Sequence, residues 1–535
     1  MTSSPWVPRI TAAFLIVGAA TLRLFYLANN CPLDLAPDEA HYWDWSRHLD
    51  WSYYSKGPLV AWIIRASCWL FGPLSVQLTG SEMLAVRIPA VVFGSLLLVS
   101  LYVLTMQIFQ REGLALAIVA VALTLPLIAA GSLLMTIDAP YTCLWGWALV
   151  AANHAVFRQS TWAWTVLGLL VGLGMLAKYT MVLFVPLLGL FLLATPGYRR
   201  MLLRPGFWLM SVIAALSCLP ILVWNAQHDW ITLQHARGHA GMQSDSVIHW
   251  EGPLRYLALQ FAILLGFWFV LWVQAVWRHR PWREPRPEVA YLWWLSAPMF
   301  IFFGLFSLKN GGGEPNWPVT AYLSGVVLAA GWLVEEWQAR SLTWRRWTLG
   351  ATLGFACLGA VLTLAIHQIT WVQPMLVRIA GRATLEQPMP LRRIDPTARL
   401  RGWQTLAREV DALQEELRKQ GIEAELAGTA WTLPGELGFY CAGHPTVYSL
   451  GSALGDRHSQ YDLWRPNPVD DPESFFGKTF IVVGASEQLL RGAFERVEPV
   501  REVTHFEQGE PINRWQIVVS HGFRGFAHPR AAKKF

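Results

Sequence analysis

The chain has 535 residues, of which 54% are hydrophobic and only 15% are charged, and its mean hydropathy is positive at +0.34. This composition excludes an ordinary soluble protein and predicts a polytopic membrane protein. The formal charge of +6 does not indicate nucleic acid, because the arginines fall in short clusters between apolar runs. We therefore expect membrane lipids, and no nucleic acid, among the partners.

A membrane span needs about 20 mostly apolar residues, and the first 370 positions supply about eleven such runs. We place them at 9–28, 84–108, 113–130, 140–157, 161–176, 178–195, 206–225, 254–276, 288–308, 317–336 and 346–370. The first run leads directly into a polar loop and is interpreted as a retained anchor rather than a cleaved signal peptide. The segment from Pro58 to Phe71 is interrupted by Arg65 and is too short to cross, so we expect a helix along the membrane surface.

Connections rich in arginine alternate along the chain with connections that are poor in Lys and Arg. The positive-inside rule places the rich set in the cytoplasm. The connections that hold Asp38, Asp138 and residues 309–318 are then on the outer side. An odd number of crossings from a cytoplasmic N-terminus also leaves the C-terminus outside.

After about residue 372 the composition becomes that of a soluble domain. We predict a membrane domain over 1–372, with outer loop helices at 29–83, and an outer α/β domain over 373–535. Apolar residues from Trp403 to Leu417 recur at helical spacing, and Gly421 suits the C-terminal cap of that helix. Short β-like runs follow at 423–428, 446–450, 479–484 and 516–520, with a helix expected around 487–496.

The six cysteines form no CxxC pair and no His/Cys spacing typical of a metal site. We therefore expect no disulfide framework, no metal and no cofactor. Two outer acids could hold a divalent ion, but no ligand set supports one.

The candidate catalytic and binding residues lie together on the predicted outer side. They are the adjacent acids Asp38 and Glu39 in a stretch rich in Trp and Tyr, Lys56 at its end, Asp138 in MTIDAPY, Lys178 and Tyr179 in LAKYTMV, and Glu314 and Asn316 in NGGGEPNWP. Ionisable groups at a membrane mouth are costly to desolvate, so they usually mark a site or pair with one another. The structural alternatives are solvated loop acids, aromatics in the headgroup belt and a lysine that extends to the interface.

Acids and lysines on one rim favour a charge-separated reaction. The lysines would hold a phosphate, and a carboxylate would take a proton from a hydroxyl or amine acceptor. Because an outward site has no supply of cytosolic nucleotide sugars, we expect a lipid-phosphate-linked sugar as donor. Without a covalent intermediate, the anomeric configuration inverts.

These motifs, in this order, carry a resemblance to a family. PDEAHYW, SKGPLVAW, MTIDAPY, the LAKYT turn and NWP make residues 1–370 similar to the GT-C superfamily of membrane glycosyltransferases, particularly protein O-mannosyltransferases and bacterial aminoarabinose transferases. One departure is Gly57, which stands where a proline commonly follows the lysine.

The resemblance implies an α-helical polytopic fold of GT-C type and a polyprenyl-phosphate-linked sugar donor. It also implies a periplasmic active site in a bacterial inner membrane, with Asp38 as catalytic base and Glu39 beside it. The acceptor stays open between an envelope lipid, a glycan and a protein.

A lipid-linked saccharide transporter or flippase, with the outer domain as a binding module, is the main alternative. It would place ionisable groups near the bilayer midplane or show repeat symmetry. A structural scaffold is a third interpretation, but it gives Asp38, Lys56, Asp138 and Lys178 no shared purpose.

Overall fold

The computed structural model describes residues 6–29, 31–239 and 248–527. Its elements up to residue 380 are helical. They are α1 Trp6–Asn29, α2 Pro37–Arg47, α3 Leu59–Thr79, α4 Met83–Phe109, α5 Glu112–Thr124, α6 Pro126–Gly131, α7 Asp138–Phe157, α8 Thr161–Ala177, α9 Phe184–Ala194, α10 Pro205–Ser217, α11 Leu219–Gln227, α12 Ile231–His239, α13 Gly252–Ile263, α14 Phe267–Arg278, α15 Pro287–Trp294, α16 Ala297–Asn310, α17 Ala321–Ala339, α18 Leu342–His367 and α19 Ile369–Ala380.

Beyond residue 380 helices and strands alternate. They are α20 Trp403–Lys419, β1 Ala424–Gly428, α21 Thr432–Tyr440, β2 Val447–Ser449, α22 Gly451–Leu454, β3 Thr479–Val483, α23 Glu487–Leu490, β4 Phe494–Val497, β5 Arg501–Glu507 and β6 Glu510–Phe523.

The chain forms two compact units, and each is assembled from separate stretches of sequence. The helical unit consists of Met1–Leu27, Lys56–Val60 and Arg87–Thr363. The mixed unit consists of Ala28–Ser55, Ala61–Val86 and Leu364–Phe535. The loop with the acid pair thus belongs to the same unit as the C-terminal strands. The predicted domain boundary at 372/373 stays a prediction.

Close backbone approach at small residues packs the helical unit. A Cβ on Gly168 would lie 2.8 Å from the carbonyl oxygen of Met210, and one on Gly172 would lie 2.3 Å from the Ser217 hydroxyl oxygen. Small residues allow this because apolar helices in lipid associate through van der Waals packing rather than through the hydrophobic effect. A contiguous buried core runs through α4, α5, α7–α10 and α14–α17.

Within the described residues, six helical segments are long and apolar enough to cross a membrane. They are Trp6–Asn29, Leu59–Thr79, Met83–Phe109, Pro205–Gln227, Pro287–Asn310 and Leu342–His367. The pair α13 and α14, bent by 113°, makes a seventh if it is one broken span. The expectation that the segment after Pro58 is too short to cross is wrong, because α3 has 21 residues. This is a multi-pass integral membrane protein, as predicted.

The mixed unit contains a six-stranded sheet in the order β2-β1-β3-β6-β4, with β5 also paired to β6. β1 is parallel to β2 and β3, whereas β6 runs antiparallel to β3, β4 and β5. α20 packs its apolar stripe on one face of the sheet, and a second cluster around Phe480 and Phe523 fills the other face. The predicted C-terminal α/β fold is therefore confirmed.

Some local predictions in this region need correction. The amphipathic helix is found at Trp403–Lys419, and Gly421 has the positive φ of +77° expected of a C-terminal cap. The helix expected around 487–496 ends at Leu490, because the chain turns there into β4. The last predicted strand is part of a long hairpin, β5–β6, joined at Gln508 and Gly509, which both have positive φ.

Candidate functional site

Asp138, Lys178 and Asn316 meet in the helical unit, although they are far apart in sequence. Lys178 Nζ donates to Asp138 Oδ1 at 2.7 Å, and Asn316 Nδ2 donates to Asp138 Oδ2 at 2.6 Å. Lys178 Nζ also lies 5.3 Å from the centroid of the Tyr141 ring, a cation–π distance. Both oxygens of one partly buried carboxylate are therefore occupied by donors from two different loops.

Breaks in the helices place these side chains. Asp138 is the first residue of α7, where a carboxylate is favoured by the helix dipole. Lys178 has extended backbone angles between α8 and the 3-10 turn that begins at Tyr179. Asn316 lies in the connection between α16 and α17. Each residue thus lies at a helix end or in a connection between helices.

Gly57 holds the segment of Lys56 against the turn of Lys178. A Cβ at Gly57 would lie 2.1 Å from the carbonyl oxygen of Leu176, two residues before the lysine. Such a distance is below any real Cβ contact, so the position requires glycine. Lys56 itself is partly buried. Glu314, by contrast, is exposed, and its backbone carbonyl accepts the N–H of Trp317.

The acid pair begins α2 in the mixed unit, with Pro37 at the first helical position. Glu39 is fully buried, and its Oε2 accepts the backbone N–H of Ala36 at 2.9 Å. Asp38 is partly exposed. Glu39 thus stabilises the start of α2, whereas Asp38 is accessible from the surface.

The C-terminal part of the mixed unit encloses α2. A Cβ on Gly435 of α21 would lie 2.8 Å from the backbone nitrogen of His41, so the two helices cross in direct contact. Asp34, just before α2, accepts the backbone N–H of Trp403 at 2.8 Å and thereby caps α20. The backbone N–H of Tyr54, after α2, donates to Gln460 Oε1 at 2.7 Å. Both flanks of the acid-pair helix are thus hydrogen-bonded to C-terminal residues.

Arg457 is the cation that accompanies Asp38. Its guanidinium carbon lies 4.2 Å from the centroid of the Trp431 ring, and its Nε has no hydrogen-bond partner within the described residues. Burial lowers the pKa of Arg457, and the charge of Asp38 is the largest influence opposing that shift. His41, 5.5 Å from Trp431 between ring centroids, lines the same region, where burial and the charge of Arg457 lower its pKa to about 3. His41 is therefore neutral at physiological pH.

The predicted site residues divide between the two units. Lys56, Asp138, Lys178, Tyr179, Glu314 and Asn316 belong to the helical unit, and Asp38 and Glu39 belong to the mixed unit. Contacts join Asp138, Lys178 and Asn316, whereas Tyr179 starts the adjacent 3-10 turn and Glu314 stays at the surface. Within the described residues, no group of three His, Cys, Asp or Glu side chains could hold a metal ion.

Sequence reasoning missed Arg457 and His41. Arg457 lies in a loop of the C-terminal region and carries no motif, so nothing in the pattern marks it. His41 lies one helical turn after Asp38 and was signalled only by its place in the aromatic stretch.

The fold is polytopic and helical, with carboxylates and cations at helix breaks and a small α/β unit built around an acid pair. These features resemble those of the GT-C class of membrane glycosyltransferases. The profile of the family described as "Dolichyl-phosphate-mannose-protein mannosyltransferase" matches residues 55–224. The solved structure of ArnT from Cupriavidus metallidurans in the apo state matches 95% of this chain and 97% of its own, with a TM-score of 0.57 and 16% identity, which shows the shared fold.

Two curated relatives agree with that class. The lipid A galacturonosyltransferase RgtD of Rhizobium johnstonii is 32% identical over 61% of this chain and 66% of its own length. An undecaprenyl phosphate-α-4-amino-4-deoxy-L-arabinose arabinosyl transferase of Pseudomonas aeruginosa is 27% identical over 57% of this chain and 56% of its own. The chain thus spans just under two thirds of the first relative and little more than half of the second. Over these regions it is similar to membrane glycosyltransferases of the GT-C type.

Proposed function

We propose that the protein transfers one sugar from a polyprenyl-phosphate-linked donor to a lipid acceptor at the periplasmic face of a bacterial inner membrane. The observation that carries this proposal is the environment of Asp38. Its carboxylate is partly exposed on the first turn of a helix that is fixed on both flanks, and the partly buried guanidinium of Arg457 acts on it electrostatically. An adjacent cation favours the ionised carboxylate, which is the form that a general base needs.

In the proposed reaction the acceptor hydroxyl oxygen forms a bond to the anomeric carbon of the sugar. The bond between that carbon and the phosphate oxygen breaks, and polyprenyl phosphate leaves with the bonding electrons. Asp38 takes the proton of the acceptor. Because one displacement occurs without a covalent intermediate, the anomeric configuration inverts.

The phosphate end of the donor is assigned to the polar cluster of the helical unit. Lys178 uses one of its three N–H donors for Asp138, so two remain for phosphate oxygens. Lys56 lies in the segment that Gly57 fixes against the same turn. Asp138 and Asn316 position Lys178, and Tyr179 adds a phenol at the turn. Cations at the leaving oxygen stabilise the negative charge that develops there.

The names of the relatives support the donor and acceptor classes. One relative is named for lipid A as acceptor and another for an undecaprenyl-phosphate-linked amino sugar as donor. A lipid acceptor is therefore favoured over a glycan or a protein. The transporter alternative gains no support from these names.

The test uses the full-length protein purified into nanodiscs with lipid A and undecaprenyl-phosphate-linked sugars of neutral, amino and uronic type. We expect lipid A to gain the mass of one sugar, with stoichiometric release of undecaprenyl phosphate and inversion at the anomeric carbon by NMR. Movement of the donor across proteoliposomes without a change in lipid A mass would support the transporter instead. A product of retained configuration would refute the single-displacement mechanism.

A further inference from the structure

Arg23 is a buried cation for which the described part of the chain offers no carboxylate partner. It lies in α1, a candidate membrane span, with only 8% of its surface exposed. Its Nη1 has no hydrogen-bond partner within the described residues, and no carboxylate there pairs with it. An ionised side chain among apolar helices is costly, and such residues usually mark a binding site.

Three other arginines of the helical unit are paired with carboxylates. Arg9 donates to Glu112 at 2.6 Å, and Arg286 contacts both Glu284 and Glu335. Arg340 contacts Glu336 at 2.7 Å, one turn away on the same helix. These arginines lie near helix ends where water is close, whereas Arg23 lies six residues inside α1. Burying the charge of Arg23 therefore costs desolvation free energy, and no carboxylate of the described residues offsets that cost.

Arg23 and Asp138 of the polar cluster are both far along their helices from one cavity. A cavity of about 560 Å³ at one end of the helical unit is lined by residues of four helix ends, among them Arg9, Tyr102 and His154. From that common level, α1 rises about 21 Å to Arg23 and α7 rises about 24 Å to Asp138, at 1.5 Å per residue. Arg23 and Asp138 thus both lie towards the ends of their helices that are far from this cavity.

The neighbours of Arg23 along α1 indicate the kind of anion. Leu22 and Phe25 are 69% and 62% exposed, as expected of side chains that face lipid. A ligand that reaches the guanidinium beside them needs an anionic group joined to an apolar chain. A phosphate ester matches the planar fork of arginine and accepts two parallel hydrogen bonds.

We propose that Arg23 is a phosphate-binding residue for an amphiphilic phosphate ester that enters from the lipid side of α1. This inference rests on the proposed donor class, because a polyprenyl phosphate has this chemistry. A membrane phospholipid headgroup has the same chemistry and is the second source that the experiment separates. Arg23 is a third cation in addition to Lys56 and Lys178, and no carboxylate among the residues that the structure describes neutralises it.

The experiment measures binding of undecaprenyl phosphate, without sugar, to full-length protein in phosphatidylcholine nanodiscs by native mass spectrometry. Arg23→Met is expected to weaken binding tenfold to a hundredfold, roughly the effect of losing a charge-assisted hydrogen bond. Arg23→Lys keeps the positive charge but lacks the planar guanidinium, so its affinity should lie between those of the wild type and Arg23→Met. Arg158→Gln, an exposed arginine at the opposite end of the unit, is the matched control and should bind as the wild type does.

Thermal unfolding without ligand separates binding from structure. Because Arg23→Met removes an unpaired buried charge, its Tm should equal or exceed that of the wild type, while the Tm increase caused by undecaprenyl phosphate is lost. A Tm that falls by several degrees would show a structural arginine and overturn the proposal, as would unchanged affinity in Arg23→Met.

Nanodiscs that contain phosphatidylglycerol identify the source of the phosphate. If only phosphatidylglycerol binds in an Arg23-dependent manner, the ligand is a membrane headgroup, and the link to the donor is refuted. If Arg23 binds undecaprenyl phosphate but the wild-type protein transfers no sugar, the proposed function fails and this site stands.

Discussion

Asp38 and Glu39 are adjacent and chemically alike, but their different surroundings indicate different roles. Glu39 is buried and accepts a backbone N–H, which ties it to the start of α2. Asp38 is partly exposed, and the partly buried Arg457 acts on it electrostatically. The base is therefore expected to be Asp38, with Glu39 as the residue that positions its helix.

Replacing Asp38 by Asn keeps size and shape and removes basicity. Transfer should fall roughly 10²–10⁴-fold, while the circular-dichroism spectrum and Tm stay close to those of the wild type. Glu39→Gln should reduce transfer less, because the amide oxygen still accepts the Ala36 N–H. Asp50→Asn is the matched control, since Asp50 accepts the N–H of Trp51 and asparagine retains that role. Near wild-type transfer by Asp38→Asn would remove Asp38 from the mechanism.

The pair of Lys178 and Asp138 allows a rescue experiment. Lys178→Met leaves a partly buried carboxylate with one donor fewer, so stability should fall by about 1–3 kcal/mol together with donor affinity. Adding Asp138→Asn removes the uncompensated charge and should restore stability but not donor binding. Lys309→Met, at an exposed lysine, serves as control. If the double variant regains donor affinity as well, Lys178 is a structural counter-ion only.

At the scale of elements, the crossing of α2 and α21 connects the acid pair to the C-terminal sheet. Gly435→Ala would place a Cβ within 3 Å of the Ala40–His41 backbone. We expect a loss of about 1–3 kcal/mol in the free energy of unfolding and slower transfer, because Asp38 moves with α2. Gly492→Ala, whose Cβ meets nothing within 4 Å, should change neither. Unaltered transfer in a destabilised Gly435→Ala protein would show that α2 keeps its place without α21.

His41 gives the same contact a pH dependence. Its pKa in the folded state is about 3, below the ordinary value of about 6.5, so the unfolded state binds the proton more readily. The contribution of His41 to stability is complete above pH 6.5 and is lost as the pH falls towards 3. His41→Gln should therefore flatten the dependence of Tm on pH between 6 and 4. An unchanged slope would mean that nearby carboxylates, not His41, account for the acid sensitivity.

At the scale of the whole molecule, local sequence patterns predict individual helices and strands. They do not predict which distant stretches of the chain pack together. The hydrophobic stripe of α20 was sufficient to place it within a residue, because one face must be buried. The mixed unit was not foreseen, since it joins residues 28–55 and 61–86 to the C-terminal strands through contacts such as Asp34 to Trp403. Sequence periodicity cannot predict the contact between Asp34 and Trp403, which are 369 residues apart. For the same reason no sequence pattern marks Arg457, whereas Arg23 is recognisable as an arginine within an apolar run.

The position of α3 relative to the membrane follows from its two ends. With 21 residues it has the length of a span, but Trp62 Nε1 near its start donates to the carbonyl of Asp50, and Glu82 just after its end accepts from Trp43 Nε1. The segment 43–50 spans at most about 17 Å, and it contains charged residues that would not enter the hydrocarbon core. We therefore expect both ends of α3 to lie on one side of the membrane.

We expect α3 to lie along the outer surface, with Trp69 and Leu78, which are 77% and 57% exposed, in contact with lipid. In a variant without the six native cysteines, Trp51→Cys and Gln77→Cys should both react with a membrane-impermeant maleimide in intact spheroplasts. Arg158→Cys, on the predicted cytoplasmic side, should react only after the membrane is disrupted. Protection of Gln77→Cys alone would show that α3 crosses, which would change the side assigned to every later loop. Protection of both outer positions, with Arg158→Cys labelled, would instead reverse the orientation and leave α3 on the surface.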